Sequence, residues 1–407
     1  MIATSFYCIC MCLITIYLFI NRRKYDIIGS SVFLLFTIES VFSVLMIKKN
    51  VLSNVINYTH ITFGAYILLI IALVIYISPF FRSVNEFDAS KYTKELNSKY
   101  WMFAYIYIIC AIVTILVCLP TTLRMVAIGN WAESYGQASV NPYSNIIEYF
   151  ATNFCDYLRV LALLVGFAMI RGEIEKKRFI IPVSLIAAAI LTSINHAILS
   201  TSRSMIYETV LIVLFIYIFF FRSLEKNKKR FFTIAGVIVG CAVVVLFMNM
   251  TISRFQSRGT SNFMLSYLGQ APVVFNAQVV GSIDKLSFGK YAWGTLFSSQ
   301  PFNQNTVGGS WGARFYMFTG WIYIDWGILG LIIIGLVLAY IFRKMILKRE
   351  YVLSDLYLIF SFLLVIIKGI FVIGRMYSIN LVATILIYFV LKIFFDKYTL
   401  VLGKYRF

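Results

Sequence analysis

Charged side chains are scarce in this sequence: Asp, Glu, Lys and Arg make up 13% of its 407 residues. That is about half the fraction found in soluble globular proteins. Hydrophobic residues make up 61%, and apolar runs of about 20 residues, the length that spans a bilayer, recur along the chain. Backbone groups in hydrocarbon must bond internally, so such runs form helices. The short segments of alternating polarity typical of a membrane β-barrel are absent. We therefore predict an all-α, polytopic membrane protein.

Motifs for metal and nucleotide chemistry are also missing. The chain has no H-E-x-x-H motif, no Cys/His cluster and no carboxylate-rich loop, which argues against a metal site. P-loop, Rossmann and G-x-S-x-G patterns are absent as well. The seven cysteines lie in or beside apolar runs, where packing is expected rather than disulfide bonding or zinc ligation. We expect no cofactor and no metal.

Eleven apolar runs are long enough to span a membrane, and we predict that they form one transmembrane domain over 1–407. The predicted spans are 2–20, 27–47, 61–81, 100–118, 149–170, 179–199, 204–221, 231–250, 315–342, 351–373 and 376–395. Of the 36 Lys and Arg residues, 24 lie in alternate connections and the C-terminal tail. The positive-inside rule then predicts an outer N-terminus and a cytoplasmic C-terminus. The excess of Lys and Arg on the cytoplasmic side, where they face anionic membrane lipids, also accounts for the net charge of +19. We therefore expect no nucleic-acid partner.

Two connections on the predicted outer side are long, 119–148 and 251–315. Both contain aromatic residues that are able to order a loop against the helices, and long ordered loops are usually functional. We predict that 251–315 is an ordered lid that carries much of the functional site. Its notable residues are Arg254, Arg258, Tyr267, Tyr291, Trp293, Trp311 and Arg314.

Arginine is frequent on the predicted outer side, against the trend of the positive-inside rule. A guanidinium group stays charged in a poorly hydrated cavity and binds phosphate through two parallel hydrogen bonds. A single arginine can instead pair with an acid or extend to the lipid headgroups. As a set, these residues predict an anionic ligand such as a lipid-linked phosphate. They are Arg124, Arg159, Arg203, Arg254, Arg258, Arg314 and Arg375.

Arg203 lies in the connection Leu199–Ser204, which is too short to leave the membrane surface. The small hydroxyl residues there allow two helices to approach closely. The start of the following helix also favours an anion. Glu208, about one turn further along, is the alternative partner for Arg203.

Other polar residues lie within the predicted spans. Asp156 and Arg159 are three residues apart and share a helix face, so we expect an internal ion pair first and a role in a cavity second. Asp325 has no partner nearby in sequence, which favours a carboxylate that faces a cavity. His196 is as compatible with helix packing as with catalysis.

With these residues in view, the chain resembles the bacterial oligosaccharide repeat unit polymerases, the Wzy family that builds O-antigen, capsular polysaccharide or exopolysaccharide. As architecture, the resemblance covers most of the chain. Its more specific parts are the Ser202–Ser204 turn, the segment Arg254–Pro272 and the segment Tyr323–Gly330. Arg258 and Gly269 also fit an Arg-x10-Gly pattern associated with the outer loops of that family.

The resemblance implies a metal-independent, GT-C-like membrane glycosyltransferase in the bacterial cytoplasmic (inner) membrane. Its substrate would be an undecaprenyl-diphosphate-linked oligosaccharide, with the lipid diphosphate as leaving group. A chain-length regulator and a flippase are implied as partners. We expect the catalytic residues to be Arg203, Arg254, Arg258, Arg314, Asp325 and His196. We expect substrate contacts from Arg124, Arg375, Asp156, Arg159, Glu133, Tyr267, Tyr291, Trp293 and Trp311.

The general base is left open among Glu133, Asp156, Asp284, Asp325 and His196. Three alternative functions remain: an O-antigen ligase, a flippase or other transporter, and a structural membrane subunit. O-antigen ligases carry a histidine motif in a large outer loop, whereas 251–315 contains no histidine. Flippases and other transporters usually show internal repeats, and none is evident in this sequence. A purely structural subunit would leave the outer arginines unexplained.

Overall fold

The computed structural model describes residues 1–21, 26–81, 87–92, 98–127, 143, 145–172, 179–255, 260–297, 302–309, 315–369, 377–397, 401–402 and 405–406. Regular structure in these residues is almost entirely helical. The helices are α1 (Ile2–Ile20), α2 (Ile27–Lys48), α3 (Phe63–Ile77), α4 (Ser98–Ala127), α5 (Ile146–Arg171), α6 (Ile180–Leu199), α7 (Arg203–Phe221), α8 (Lys226–Phe255), α9 (Thr260–Val274), α10 (Lys290–Phe297), α11 (Phe318–Ile346), α12 (Leu353–Lys368) and α13 (Tyr377–Leu391). Two short antiparallel strands follow, β1 (Val401–Leu402) and β2 (Tyr405–Arg406).

Nine helices in the described part of the chain are long and apolar enough to cross a membrane. They are α1 to α8 and α11, with α3 continued to Phe81 by a 3-10 turn. These nine helices correspond to the first nine predicted spans. The last two predicted spans correspond to α12 and α13, which are shorter, with 16 and 15 residues. The chain is a multi-pass helical membrane protein, as its low charge and long apolar runs predict.

The chain divides into two compact units. Unit 1 comprises Met1–Phe87, Arg258–Lys348 and Phe362–Val382, and unit 2 comprises Asp88–Ser257, Arg349–Ser361 and Ala383–Phe407. Each unit has its own buried apolar side chains. Phe33 and Leu69 are fully buried in unit 1, as are Leu163 and Ile212 in unit 2.

In unit 1, α2 packs against α1 and α9 at very short range. A Cβ atom on Gly269 of α9 would lie 2.6 Å from the carbonyl carbon of Phe42 in α2. The Ser43 hydroxyl donates a hydrogen bond to the Gly269 carbonyl at 2.8 Å.

Most described residues of the predicted 251–315 lid are helical. Helix α8 continues to Phe255, α9 continues as a π-helix over Phe275–Val280, and α10 follows.

In unit 2, α5 is the most buried of the nine candidate spans, and α4, α6 and α7 pack around it. The α6–α7 connection is a three-residue turn in which Thr201 has a positive φ of 46°. Helix α8 contacts this hairpin through an apolar cluster that includes Met205, Val243 and Met250. The arrangement places the end of α6 and the start of α7 beside the start of α5.

Candidate functional site

Polar side chains collect where α4 and α6 end and where α5 and α7 begin. The Thr121 hydroxyl of α4 donates to Glu148 Oε1 of α5 at 2.8 Å. The Thr122 hydroxyl donates to Asn195 Oδ1 of α6 at 2.7 Å. These bonds connect three helices at one end of the unit. We call this region the polar end of unit 2; it comprises Thr121, Thr122, Tyr143, Glu148, Asp156, Arg159, Ser193, Asn195, His196, Thr201, Arg203, Glu208 and Thr209.

The Arg159 guanidinium is the centre of this region and is only 1% exposed. Its Nη1 atom lies 3.1 Å from Asp156 Oδ1, one turn earlier on α5, so the predicted ion pair is confirmed. Its Nη2 atom lies 3.7 Å from Glu208 Oε2 of α7. One buried cation therefore faces two carboxylates from two helices.

Two hydroxyl groups complete the surroundings of Arg159. Nη1 donates to Ser193 Oγ of α6 at 3.3 Å and to Thr209 Oγ1 of α7 at 3.0 Å. Each hydroxyl donates its own hydrogen to a main-chain carbonyl four residues earlier, which leaves a lone pair for the guanidinium. Arg159 Nε, by contrast, has no acceptor among the described residues. Because a buried donor without a partner costs about 1–3 kcal/mol, an oxygen acceptor at Nε would stabilise the cluster.

Tyr143 and His196 adjoin this cluster. The Tyr143 hydroxyl and His196 Nε2 share a hydrogen bond of 3.2 Å. Burial, with a further contribution from the charge of Asp156, raises the pKa of Tyr143 to about 12. The phenol therefore stays protonated at neutral pH and holds the half-buried imidazole in one orientation.

The α6–α7 turn presents a helix start to the same region. Arg203 is the first residue of α7 and is 5% exposed. Ser202 occupies the N-cap position, but its side chain does not cap α7; its hydroxyl instead bonds that of Ser204 at 2.9 Å. Thr201 Oγ1 is buried without a hydrogen-bond partner among the described residues. A helix N-terminus with these groups favours an anion.

Five of the sequence-predicted site residues lie outside the described residues, and Arg254 is described only as a backbone position in α8. Those outside are Arg258, Arg314, Arg375, Glu133 and Trp311. Arg124 is exposed near the end of α4. Of the predicted site residues at the polar end of unit 2, Asp156 and Arg159 are in direct contact, whereas His196 lies near the end of α6 and Arg203 at the start of α7.

Asp325 belongs to unit 1 and is surrounded by donors from its own unit. It is 1% exposed, and its Oδ1 accepts from the Tyr291 N–H at 3.0 Å and from the Ser287 hydroxyl. Its Oδ2 accepts from the Ala292 N–H at 2.9 Å. The carboxylate therefore caps the start of α10.

A break in α11 explains how this arrangement arises. Gly327 has a φ of +65° inside the helix, so the helical bonding pattern is interrupted there. The carbonyls of Ile324 and Asp325 accept instead from the Ser287 and Phe288 N–H groups, each at 3.0 Å. In a membrane protein, freed carbonyls persist only where another segment satisfies them.

We expect Asp325→Asn to lower the free energy of unfolding by about 1–3 kcal/mol, because an amide nitrogen would then face backbone donors. Thermal unfolding of the purified variant in detergent measures this, with Asp284→Asn, at an exposed carboxylate of the same unit, as the control. An Asp325→Asn protein with unchanged stability and lost activity would instead support the catalytic role predicted from the sequence.

Of the four aromatic residues predicted to bind sugar, the three that the structure describes lie in unit 1. Tyr291 is 4% exposed and its hydroxyl bonds that of Tyr316. Tyr267 meets Phe315 edge to face with ring centroids 5.0 Å apart. Trp293 is partly buried near Gly289.

The sequence interpretation missed several groups at the polar end of unit 2. It did not predict that the Glu208 carboxylate reaches Arg159, at 3.7 Å. It also omitted Ser193, Thr209 and Tyr143. The run Thr192, Ser193, Asn195 and His196 at the end of an apolar span is the local signal that points to this surface. The identity of the partners depends on tertiary contacts.

No protein-family model matches the chain, and neither a curated protein nor a solved structure is significantly similar to it.

Proposed function

We propose that this chain is a polysaccharide polymerase that joins undecaprenyl-diphosphate-linked oligosaccharide units by metal-independent glycosyl transfer. In this proposal the chain has eleven spans, a GT-C-like architecture, an outer N-terminus and a cytoplasmic C-terminus in the bacterial cytoplasmic membrane. The polar end of unit 2 then faces outward. The Wzy-like sequence features and the chemistry of that region support it.

The observation that carries the proposal is that the polar end of unit 2 contains two buried guanidinium groups and two buried hydrogen-bond donors that lack an acceptor. Arg203 and Arg159 are 5% and 1% exposed, and Thr201 Oγ1 and Arg159 Nε have no partner among the described residues. A diphosphate supplies negative charge and several acceptor oxygens at once. Arg203 is buried at the start of α7, where no side chain caps the helix, and a helix N-terminus favours an anion, so we assign the diphosphate to this position.

The proposed reaction exchanges one bond at the anomeric carbon for another. The bond from the anomeric carbon to the lipid diphosphate breaks, and the diphosphate leaves with the electron pair. The hydroxyl oxygen of the acceptor sugar forms the new glycosidic bond. Its proton passes to His196, whose ring Tyr143 orients. Fixed positive charge at the leaving group stabilises the transition state more than the ground state.

The test supplies the purified protein in lipid vesicles with a synthetic undecaprenyl-diphosphate-linked repeat unit and no nucleotide sugar or ion gradient. We expect a ladder of products on a gel, together with released undecaprenyl diphosphate. Arg203→Ala should abolish the ladder. The absence of a ladder from a competent substrate would contradict the proposal, and transport of intact substrate across the vesicle would instead identify a flippase.

The same helix offers a matched control. Arg222 follows the opposite end of α7, where its half-exposed side chain lies 3.8 Å from Asp88. Arg222→Ala should leave the ladder unchanged. Equal loss of activity in both variants would show that Arg203 acts on the fold of α7 rather than on the diphosphate.

A further inference from the structure

A buried acidic residue lies near the middle of α2 in unit 1, away from the site already described. Glu39 is 3% exposed and is the acidic residue of the span Ile27–Lys48. An ionisable group inside a membrane helix is costly, and it persists mainly where it has a function or a partner.

The helices packed against α2 supply no cation to this carboxyl. Over their described ranges, α1, α3, α9 and the 3-10 turn Ser78–Phe81 contain no Lys, Arg, His, Asp or Glu. The π-helix Phe275–Val280, which continues α9, contains none either. Lys48 ends α2 more than two turns away, since a turn takes about 3.6 residues. The titratable groups on the packed helices are phenols and thiols: Tyr7, Cys8, Cys10, Cys12, Tyr17, Tyr66, Tyr76 and Tyr267.

Helix α11 also approaches α2, through the ring contact of Phe36 with Phe318 at 6.4 Å between centroids. The charged residues of α11 named here provide no countercharge to the Glu39 carboxyl. Asp325 is occupied by the start of α10, and Arg343 and Lys344 lie at the opposite end of α11.

The nearby hydroxyl donors are already in use. The Ser40 hydroxyl donates to the Thr37 carbonyl at 2.6 Å. The Ser43 hydroxyl lies 3.0 Å from the Glu39 main-chain carbonyl and 2.8 Å from that of Gly269. Neither hydroxyl therefore stabilises a charge on the Glu39 side chain.

Tyr7 of α1 is the polar group associated with Glu39. Helix α1 contacts α2 through the hydrogen bond from Thr37 Oγ1 to the Met11 carbonyl at 3.3 Å. Tyr7, one turn before Met11, is fully buried and stacked on Tyr66 with centroids 4.7 Å apart. The Tyr7 hydroxyl and Glu39 Oε2 are both buried without a hydrogen-bond partner among the described residues.

An ionised carboxylate at this position would have neither a countercharge nor a hydrogen-bond donor from the groups described above, and burial penalises such a charge heavily. Binding a proton removes that charge. We propose that Glu39, beside Tyr7, forms a proton-binding site in the membrane-embedded core of unit 1. This site is separate from the proposed glycosyl transfer and does not depend on it.

Dicyclohexylcarbodiimide, an apolar reagent for protonated carboxyl groups, tests the proposal. The carboxyl proton moves to a carbodiimide nitrogen and a carboxyl oxygen bonds to the central carbon. The acyl group then migrates to nitrogen as a stable N-acylurea, and no atom is lost. In purified full-length protein at neutral pH, peptide mass spectrometry should locate the label on Glu39. Glu208, a buried carboxylate beside Arg159, should remain unlabelled and serves as the internal control.

Infrared spectroscopy gives a second measurement on the same protein. A carbonyl stretching band of a protonated carboxyl, sensitive to deuterium exchange, should be present in the wild type and absent from Glu39→Gln. This variant replaces the protonated carboxyl with a neutral group of similar size, and gel filtration checks its fold. An unlabelled Glu39 in the wild type, or a band of equal strength in both proteins, would overturn the proposal.

Discussion

Arg159→Ala is expected to lower the free energy of unfolding by about 3–5 kcal/mol, because it leaves the buried Glu208 carboxylate and the partly buried Asp156 carboxylate without the Arg159 cation. The Asp156 and Glu208 carboxylates come from different helices and lie 3.1 Å and 3.7 Å from the Arg159 guanidinium, which is 1% exposed. The variant also removes the hydrogen bonds that Arg159 gives to Ser193 and Thr209. Unfolding in mixed micelles of increasing sodium dodecyl sulfate content measures the effect.

Two further variants distinguish uncompensated charge from lost packing. Replacing Asp156 by Asn and Glu208 by Gln in the background of Arg159→Met should recover most of the lost stability, since none of these three positions then carries a charge. Arg222→Ala, at a half-exposed pair 3.8 Å from Asp88, should cost no more than about 1 kcal/mol. If the triple variant is no more stable than Arg159→Ala, unpaired charge is not the cause of the loss.

Contacts could be predicted from the sequence only where the interacting residues are close together along the chain. Asp156 and Arg159 are one helical turn apart, and helical spacing alone predicts that they meet. Glu208 lies 49 positions after Arg159, and nothing local indicates that α7 brings its carboxylate to α5. The donors around Asp325 lie more than 30 positions earlier in the chain, so the carboxylate appears unpartnered in the sequence.

The secondary structure of the stretch 251–315 also depends on contacts between residues that are far apart in the sequence. Its Ser, Asn, Gln and Gly residues interrupt the apolar runs, so composition predicts a loop. Several of these polar residues are instead satisfied by tertiary contacts. The Asn276 side chain, for example, accepts from the Thr62 N–H at 2.9 Å and donates to the Thr62 carbonyl at 2.8 Å. Small residues such as Gly269 then allow α9 to approach α2. Amino-acid composition predicts neither the hydrogen bonds that satisfy these polar side chains nor the close approach of the two helices.

Gly269→Ala is the second large expected effect, a loss of about 1–3 kcal/mol from overpacking. An added Cβ would lie 2.6 Å from the carbonyl carbon and oxygen of Phe42 and 2.8 Å from the Ser43 nitrogen. These atoms are main chain, so no side-chain rotation relieves the contact and α9 must move away from α2. Such a shift would also lengthen the hydrogen bond from Ser43 to the Gly269 carbonyl.

The matched control is Gly236→Ala in α8, where an added Cβ meets nothing within 4 Å. There the higher helix propensity of alanine should leave stability unchanged or raise it by up to about 1 kcal/mol. Adding Phe42→Ala to Gly269→Ala should give no recovery, because the contact is with the backbone of Phe42. Denaturant unfolding of the four proteins measures the comparison. If Gly269→Ala unfolds like Gly236→Ala, close packing does not require this glycine, and its place eleven residues after Arg258 needs a functional explanation instead.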